Sequence, residues 1–167
     1  MSGESREWGW RLVRALCVRQ PWAWAIARGH KPVLNRCCDT DYRGPVAIYA
    51  SLRVDLGSIE SHVVREAASA TWDQADPVTA IGGIIAVVSL EGVCAAGAAC
   101  GPGACGRCAC GEWATAGSYH WQLAHPRPLR WPVLALGQSG LWELTPEVAD
   151  GLHRFLPDEA VRVGRPG

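Results

Sequence analysis

The most hydrophobic stretch of the chain, IGGIIAVVSLEGV at residues 81–93, limits the folds that the sequence can adopt. It is rich in β-branched residues, which favour strands over helices. It also falls well short of the roughly 20 apolar residues that a membrane-spanning helix needs. We therefore predict that it forms a central strand of a sheet and that the chain has no membrane partner.

The other hydrophobic stretches are short and switch between strand-like and helix-like patterns. Strands are predicted at LCV (16–18), PVAIYAS (45–51), SYHWQLA (118–124) and SGLWEL (139–144). Helices are predicted at QPWAWAIARG (20–29), at SIESHVVREAASA (58–70) with Ser58 as its cap, and at TPEVADGLHRFL (145–156). Because strands and helices do not alternate regularly, we expect an α+β fold with a curled or barrel-like sheet.

Length and composition favour one domain. A chain of 167 residues, 49% of them hydrophobic, can bury one core of good size. Sixteen basic residues balance sixteen acidic ones, so any attraction to nucleic acid has to come from a local patch. The first residues, MSGESREWGWRLVRAL, lack the apolar core of a signal peptide, which predicts a cytoplasmic protein. In that compartment the eight cysteines are expected to be thiols or metal ligands rather than disulfides.

Five motifs, taken in order, carry a resemblance to a known family. They are LCVRQPWAWAIARGHKPVLNR, YRGPVAIYAS, GGIIAVVSLEGV, SYHWQLAHPRPL and GQSGLWEL, which together span residues 16–144. This arrangement resembles the ASCH domain family of the PUA-like superfamily. The signature of that family is Gly-x-Lys-x-x-Glu-x-Arg. Gly29, Lys31 and Arg36 match it, whereas Leu34 occupies the glutamate position.

The resemblance implies a small PUA-like β-barrel with flanking helices, and a cleft bordered by the signature where relatives contact RNA or nucleotide-like ligands. It divides the chain into an N-terminal extension (1–13), an ASCH domain (14–145) and a C-terminal helix and tail (146–167). The domain contains a Cys/Gly/Ala-rich loop insertion (94–112). Some relatives are amide hydrolases on acylated cytidine, which use the motif lysine and a hydroxyl residue at the glutamate position, and others cleave RNA.

Lys31 is the lysine of that signature and the only lysine beside fifteen arginines. A generic positive charge in this chain is supplied by arginine, so Lys31 needs a reason of its own. An ammonium is a compact point charge whose pKa falls when it is buried, and a guanidinium offers neither property. We predict that Lys31 contacts a phosphate or a base carbonyl. The alternative is an exposed lysine that follows a helix C-cap and is favoured there by the helix dipole.

Three polar residues are candidates to extend the site around Lys31. Arg36 is an odd number of positions away, so in an extended segment the two side chains face opposite sides unless the strand bends or bulges. Arg43 lies in the turn YRGP and could reach back to a phosphate. Gln138 lies in a glycine-bracketed loop whose backbone could approach a ligand closely. The alternative for each arginine is a solvated charge or a surface ion pair.

Three aromatic side chains are further candidates for ligand contact. Trp22 and Trp24 cannot share a helix face, because a two-residue step turns about 200°. Trp24 is expected to be the more exposed and to offer a stacking platform for a base, whereas the resemblance favours Trp22 of the QPW motif. His120 and Trp121 are neighbours on a strand and face opposite ways, so we expect Trp121 inside and His120 toward solvent or the cleft. The alternative for each is a structural role in the core.

The segment CAAGAACGPGACGRCACG, residues 94–111, breaks the pattern because it has no large side chain to bury. Four thiolates around a tetrahedral Zn²⁺ would supply the energy that orders it. The candidate ligands are Cys100, Cys105, Cys108 and Cys110, with Cys94 as a substitute. The alternative is an inert low-complexity insertion.

Three functions follow from these residues. The first is a PUA-like module that binds RNA or a nucleotide-like ligand around Lys31 and requires no cofactor. The second is a hydrolase, an amidohydrolase or a ribonuclease, in which Lys31 and Glu112 would be the catalytic residues. It is disfavoured because Leu34 can neither attack a substrate nor accept a proton. The third is a zinc-stabilised interaction domain that docks a protein partner of unknown identity.

Overall fold

The computed structural model describes residues 13–95 and 110–157, which form six strands, three α-helices and two 3₁₀ helices. In chain order they are β1 (Arg14–Gln20), α1 (Trp22–Ala27), β2 (Val33–Arg36), β3 (Gly44–Val54), a 3₁₀ helix (Leu56–Glu60), α2 (His62–Thr71), a 3₁₀ helix (Pro77–Thr79), β4 (Gly83–Cys94), β5 (Tyr119–Leu134), β6 (Leu141–Glu143) and α3 (Pro146–Phe155). None of these helices has the length and hydrophobicity that a transmembrane span requires.

The strands form one mixed sheet in the order β2-β5-β4-β3-β1-β6. Strands β1 and β3 are parallel, and the other neighbouring pairs are antiparallel. The predicted α+β fold is confirmed. The expected barrel, however, is not closed, because β2 and β6 lie at the two edges of the sheet among the described residues. These edge strands have only four and three residues, so each offers little backbone for further pairing.

Strand β4 lies inside the sheet and is covered on both faces. Its residues 83–90 are all buried. Ile84 belongs to the hydrophobic cluster that includes Leu152 of α3, and the next residue, Ile85, belongs to the cluster that includes Ile26 of α1. Because successive strand residues point to opposite faces, each face of the sheet has its own core. The predicted central strand is confirmed.

Two of the differences between predicted and observed element boundaries have a clear physical reason. Ser58 does not cap α2, because it lies in the preceding 3₁₀ helix, where its N–H donates to the Asp55 carboxylate at 3.2 Å. The strand predicted at residues 118–124 continues to Leu134 through three prolines. Prolines are tolerated there because β2 pairs only with residues 119–122, which leaves the remainder of that side of β5 without a partner strand.

Gln20 joins three parts of the fold through its buried side chain, which is 4% exposed. Its amide nitrogen donates to the carbonyl oxygens of Val78 and Ala80, each at 2.9 Å. Its amide oxygen accepts a hydrogen bond from the backbone N–H of Trp24 at 2.8 Å. The end of β1 is thereby fixed to the first turn of α1 and to the segment around Pro77–Thr79, which positions the residues that follow α1.

Replacing this side chain tests its role. We expect Gln20→Ala to lower the free energy of unfolding by about 3 kcal/mol, since it leaves buried backbone groups without partners. Urea denaturation of both proteins measures the difference. The matched control is Gln74→Ala on the exposed surface, which we expect to change stability by less than about 0.5 kcal/mol. Equal stabilities of the two variants would contradict this account.

Candidate functional site

Lys31 is placed by the end of α1. Gly29 adopts a left-handed conformation with φ of 78°, as expected for a residue that terminates a helix. The backbone N–H groups of His30 and Lys31 both donate to the carbonyl oxygen of Ala25, at 2.9 and 3.0 Å. The chain then enters β2, so the lysine is held between a helix end and a strand start.

The Lys31 side chain is buried, with 4% of its surface exposed. Its ammonium nitrogen lies 4.9 Å from the ring centroid of Trp22 and 5.3 Å from that of Trp113, within the range of cation–π attraction. It also donates to the carbonyl oxygen of Trp113 at 3.2 Å. Lys31 forms no ion pair with any carboxylate of the described residues. The charge is therefore held by two aromatic faces and one carbonyl.

Residues 110–118, which we call the cover segment, help to enclose the Lys31 side chain. Asn35 of β2 holds the segment in place: its amide nitrogen donates to the carbonyl oxygen of Trp113, and its amide oxygen accepts from the N–H of Thr115, each at 3.0 Å. Trp113 also meets Trp22 edge to face, with centroids 6.1 Å apart. The cover segment is thus fastened to β2 directly above the lysine.

Burial lowers the pKa of Lys31 from 10.5 to about 8. The physical cause is desolvation, which disfavours the charged form. Near neutral pH the amine remains mostly protonated, yet it gives up its proton far more readily than an exposed lysine. A perturbed titratable group of this kind is typical of a functional site.

Arg36 and Gln138 are brought together by the fold, away from the cover segment. They line an open concavity of about 460 Å³, the basic pocket, between the end of β2 and the loop before β6. Its polar lining also includes Arg53, Ser51, Ser139 and Tyr49. None of the described residues that line it is acidic. The Arg36 Nε is buried without a hydrogen-bond partner in the described part of the chain.

Trp24 does not offer the exposed platform that the sequence predicted. It is fully buried, with its ring between His30 (centroid distance 5.2 Å) and Trp72 (5.0 Å). Trp22 and Trp24 do lie on different faces of α1. The rest of the protein covers both faces of this short helix, so neither face has to be exposed to solvent. Of Trp22 and Trp24, Trp22 is the one that lies beside Lys31.

Arg43 lies outside both sites, Glu112 lies on the outer surface of the cover segment, and Leu34 lies in the core. The guanidinium of Arg43 donates to the carbonyl oxygens of Thr40 and Tyr42, each at 2.7 Å, within its own turn. Glu112 is exposed on the cover segment. Leu34, at the glutamate position of the signature, is 7% exposed and packs in the α1 side of the core.

His120 is not directed to solvent, contrary to expectation. Both His120 and its neighbour Trp121 are buried, because the sheet is covered on both faces at this point. One ring nitrogen of His120 and the sulfur atoms of Cys94 and Cys110 all lie within 4.8 Å of one another. Of the predicted zinc ligands, Cys100, Cys105 and Cys108 lie outside the described residues.

Sequence reasoning missed Trp113 and Asn35. The hydrogen bonds that Trp113 accepts from Lys31 and from Asn35 each join positions about 80 apart in the chain, and no local pattern encodes such pairs. One signal was available for Trp113, since it is the first large side chain after the Ala/Gly/Cys segment.

No protein-family model matches the sequence, and a search of curated proteins finds no significant match. Solved structures do match. The ASCH protein of Zymomonas mobilis aligns with a TM-score of 0.53 and 14% identity, over 88% of this chain and 97% of that one. The chain has an ASCH-like fold. Two single-residue mutants of the same protein align similarly, with TM-scores of 0.53 and 0.51, identities of 14% and 15%, 88% of this chain covered and 100% and 98% of theirs.

The ASCH-like fold places the signature residues in two separate environments. Gly29 and Lys31 lie at the end of α1, below the cover segment, whereas Arg36 lies at the other end of β2 in the basic pocket. The resemblance seen in the sequence motifs is confirmed at the level of the fold.

Replacing Lys31 tests whether the desolvation cost of its ammonium exceeds the stabilisation from the cation–π contacts. At pH 7 we expect Lys31→Met to raise the free energy of unfolding by about 1–3 kcal/mol, because desolvation of the ammonium costs more than two cation–π contacts return. The pKa of about 8 lies below the ordinary 10.5, so the unfolded chain holds this proton more tightly. The penalty is complete below pH 8 and disappears as pH rises to 10.5. The advantage of the variant should shrink over that window.

Urea denaturation at pH 7, 9 and 10.5 measures this difference. The control is Arg65→Met, which removes an exposed charge from α2 and should shift stability by less than about 0.5 kcal/mol at each pH. A lysine variant that is less stable than the wild type at pH 7, or an advantage that grows with pH, would contradict the assignment.

Proposed function

We propose that this ASCH-like chain is a binding module for RNA or a nucleotide-like ligand, with Lys31 and the basic pocket as its two recognition points. The observation that supports this proposal most strongly is the position of the Lys31 ammonium. It is buried between two tryptophans and has no carboxylate partner among the described residues. A phosphate or a base carbonyl would complete its surroundings. Burying this charge lowers the free energy of unfolding, and functional sites often reduce stability in this way.

The basic pocket supports the same class of ligand. Its volume of about 460 Å³ falls within the range of small-molecule sites. Two guanidinium groups, from Arg36 and Arg53, suit phosphate oxygens, and the amide of Gln138 suits a base edge or a sugar hydroxyl. The net charge of zero predicts that affinity for long RNA is modest and that it falls with salt.

Contact between a ligand and the Lys31 ammonium requires the cover segment to shift. Among the described residues, a cavity that borders Lys31 has a volume of about 70 Å³, enough for about two water molecules and too small for a nucleotide. Trp113 is half-buried, and its segment is fastened through a few hydrogen bonds from Asn35 and Lys31. A base that displaces Trp113 would stack on Trp22 and take over the contact with the lysine.

The hydrolase alternative would need a nucleophile or a general base beside the lysine. Leu34 packs in the core and supplies neither, and Glu112 is exposed. We therefore expect negligible hydrolysis of acylated cytidine. A measured turnover that disappears in Lys31→Ala would instead establish catalysis.

Binding of short single-stranded RNAs and nucleoside monophosphates tests the proposal by fluorescence anisotropy and competition. We expect Lys31→Ala and Arg36→Ala each to weaken binding about tenfold or more, equivalent to about 1.4 kcal/mol. Removal of a charge-assisted contact accounts for a loss of this size.

Arg65→Ala is the matched control, because it removes an equal charge from an exposed position on α2. It should change affinity less than twofold. Unchanged affinity in both Lys31→Ala and Arg36→Ala, or an equal loss in the control, would refute a ligand site at these residues.

A further inference from the structure

Two cysteines and a histidine converge where the Ala/Gly/Cys segment leaves and rejoins the sheet. The donor atoms of Cys94, Cys110 and His120 all lie within 4.8 Å of one another. Cys110 is 1% exposed and His120 is fully buried, while Cys94 is half-buried. Clusters of this composition are rare among surface groups and typical of metal centres.

Backbone pairing fixes this convergence. Cys94 is the last residue of β4, and His120 is the second residue of β5 and its direct partner in the antiparallel register. Side chains directly opposite each other across an antiparallel pair lie on the same face about 5 Å apart. Cys110 returns to the same place at the start of the cover segment. Two of the three residues are therefore held by backbone pairing within the sheet.

The donor set supplies three of the four ligands of a tetrahedral Zn²⁺ site. Zinc binds cysteine sulfur at about 2.3 Å and histidine nitrogen at about 2.0–2.1 Å in a tetrahedron. Those bond lengths place neighbouring donor atoms roughly 3.5–3.8 Å apart, so atoms within 4.8 Å need to close by only about 1 Å. Two thiolates and an imidazole also favour zinc over magnesium or calcium, which prefer oxygen ligands.

The imidazole of His120 has the kind of hydrogen-bond partner that a metal-binding histidine has. Its Nε2 lies 2.7 Å from the carbonyl oxygen of Thr115, and since a carbonyl only accepts, Nε2 carries the hydrogen. This tautomer places the lone pair on Nδ1, which is then the metal-binding nitrogen. A zinc-bound histidine usually donates its other ring N–H to a carboxylate, a backbone carbonyl or a water in this way.

We propose that Cys94, Cys110 and His120 bind one Zn²⁺ at the base of the insertion. This set differs from the four cysteines that spacing alone suggested, because it includes a histidine from the following strand. Among the described residues, the hydrophobic cluster around Cys110 consists of small side chains, those of Cys94 and Ala114. Metal coordination supplies the ordering energy that such a small apolar cluster lacks.

The zinc site would also brace the cover segment. Cys110 fixes the first residue of that segment, and Thr115 is held by both Asn35 and His120. Trp113 lies between these two points. Metal binding therefore orders the residues that enclose Lys31, without any direct contact between metal and lysine.

Elemental analysis and cobalt spectroscopy of the full chain test the site. We expect one zinc per chain in the purified wild type, and less than about a tenth of that in the double variant Cys94→Ser/His120→Gln. Co²⁺ added to the metal-free wild type should give the thiolate charge-transfer and visible bands of a tetrahedral sulfur–nitrogen site. This second measurement decides the question even where the variant fails to fold.

The matched control is Cys37→Ser/Cys38→Ser, which removes two exposed thiols elsewhere and should keep one zinc. Two results would overturn the proposal. One is a folded wild type that takes up neither Zn²⁺ nor Co²⁺. The other is full zinc retention in Cys94→Ser/His120→Gln, which would assign the metal to other cysteines such as Cys105 and Cys108.

Discussion

The burial of β4 on both faces is the constraint on which the rest of the structure depends. A strand with eight consecutive buried residues requires a partner strand on each side and a covering layer on each face. Strands β3 and β5 provide the first, and α1 and α3 provide the second. The positions of Lys31 at the end of α1 and of His120 on β5 follow from this arrangement, so both candidate sites are consequences of one central strand.

Lys31 combines two opposing demands. A buried ammonium destabilises the fold, and the chain limits that cost with aromatic faces rather than with a carboxylate. An internal carboxylate would neutralise the charge and compete with an anionic ligand. Aromatic rings stabilise the cation while leaving it able to exchange partners. The arrangement is therefore better suited to recognition than a closed salt bridge would be.

Much of the fold could be predicted from the sequence, because periodicity and end signals are local. The central strand, α1 and α3 lie within two residues of their predicted ends on at least one side. The ligand role that we propose for Lys31 could also be suggested from its count and its place in the signature. The burial of Trp24 and of His120 could not, since covering of both faces depends on segments far away in the chain. Trp113 and Asn35 were missed for the same reason.

The direct pairing of Cys94 with His120 has a consequence for how this chain can change. The polypeptide leaves the sheet after Cys94, and its direct partner His120 lies at the same level of the neighbouring strand. A change in the number of residues in the 95–109 stretch therefore leaves the register of β4 and β5 unchanged. The position thus offers an engineering entry point for grafting a foreign peptide onto the scaffold.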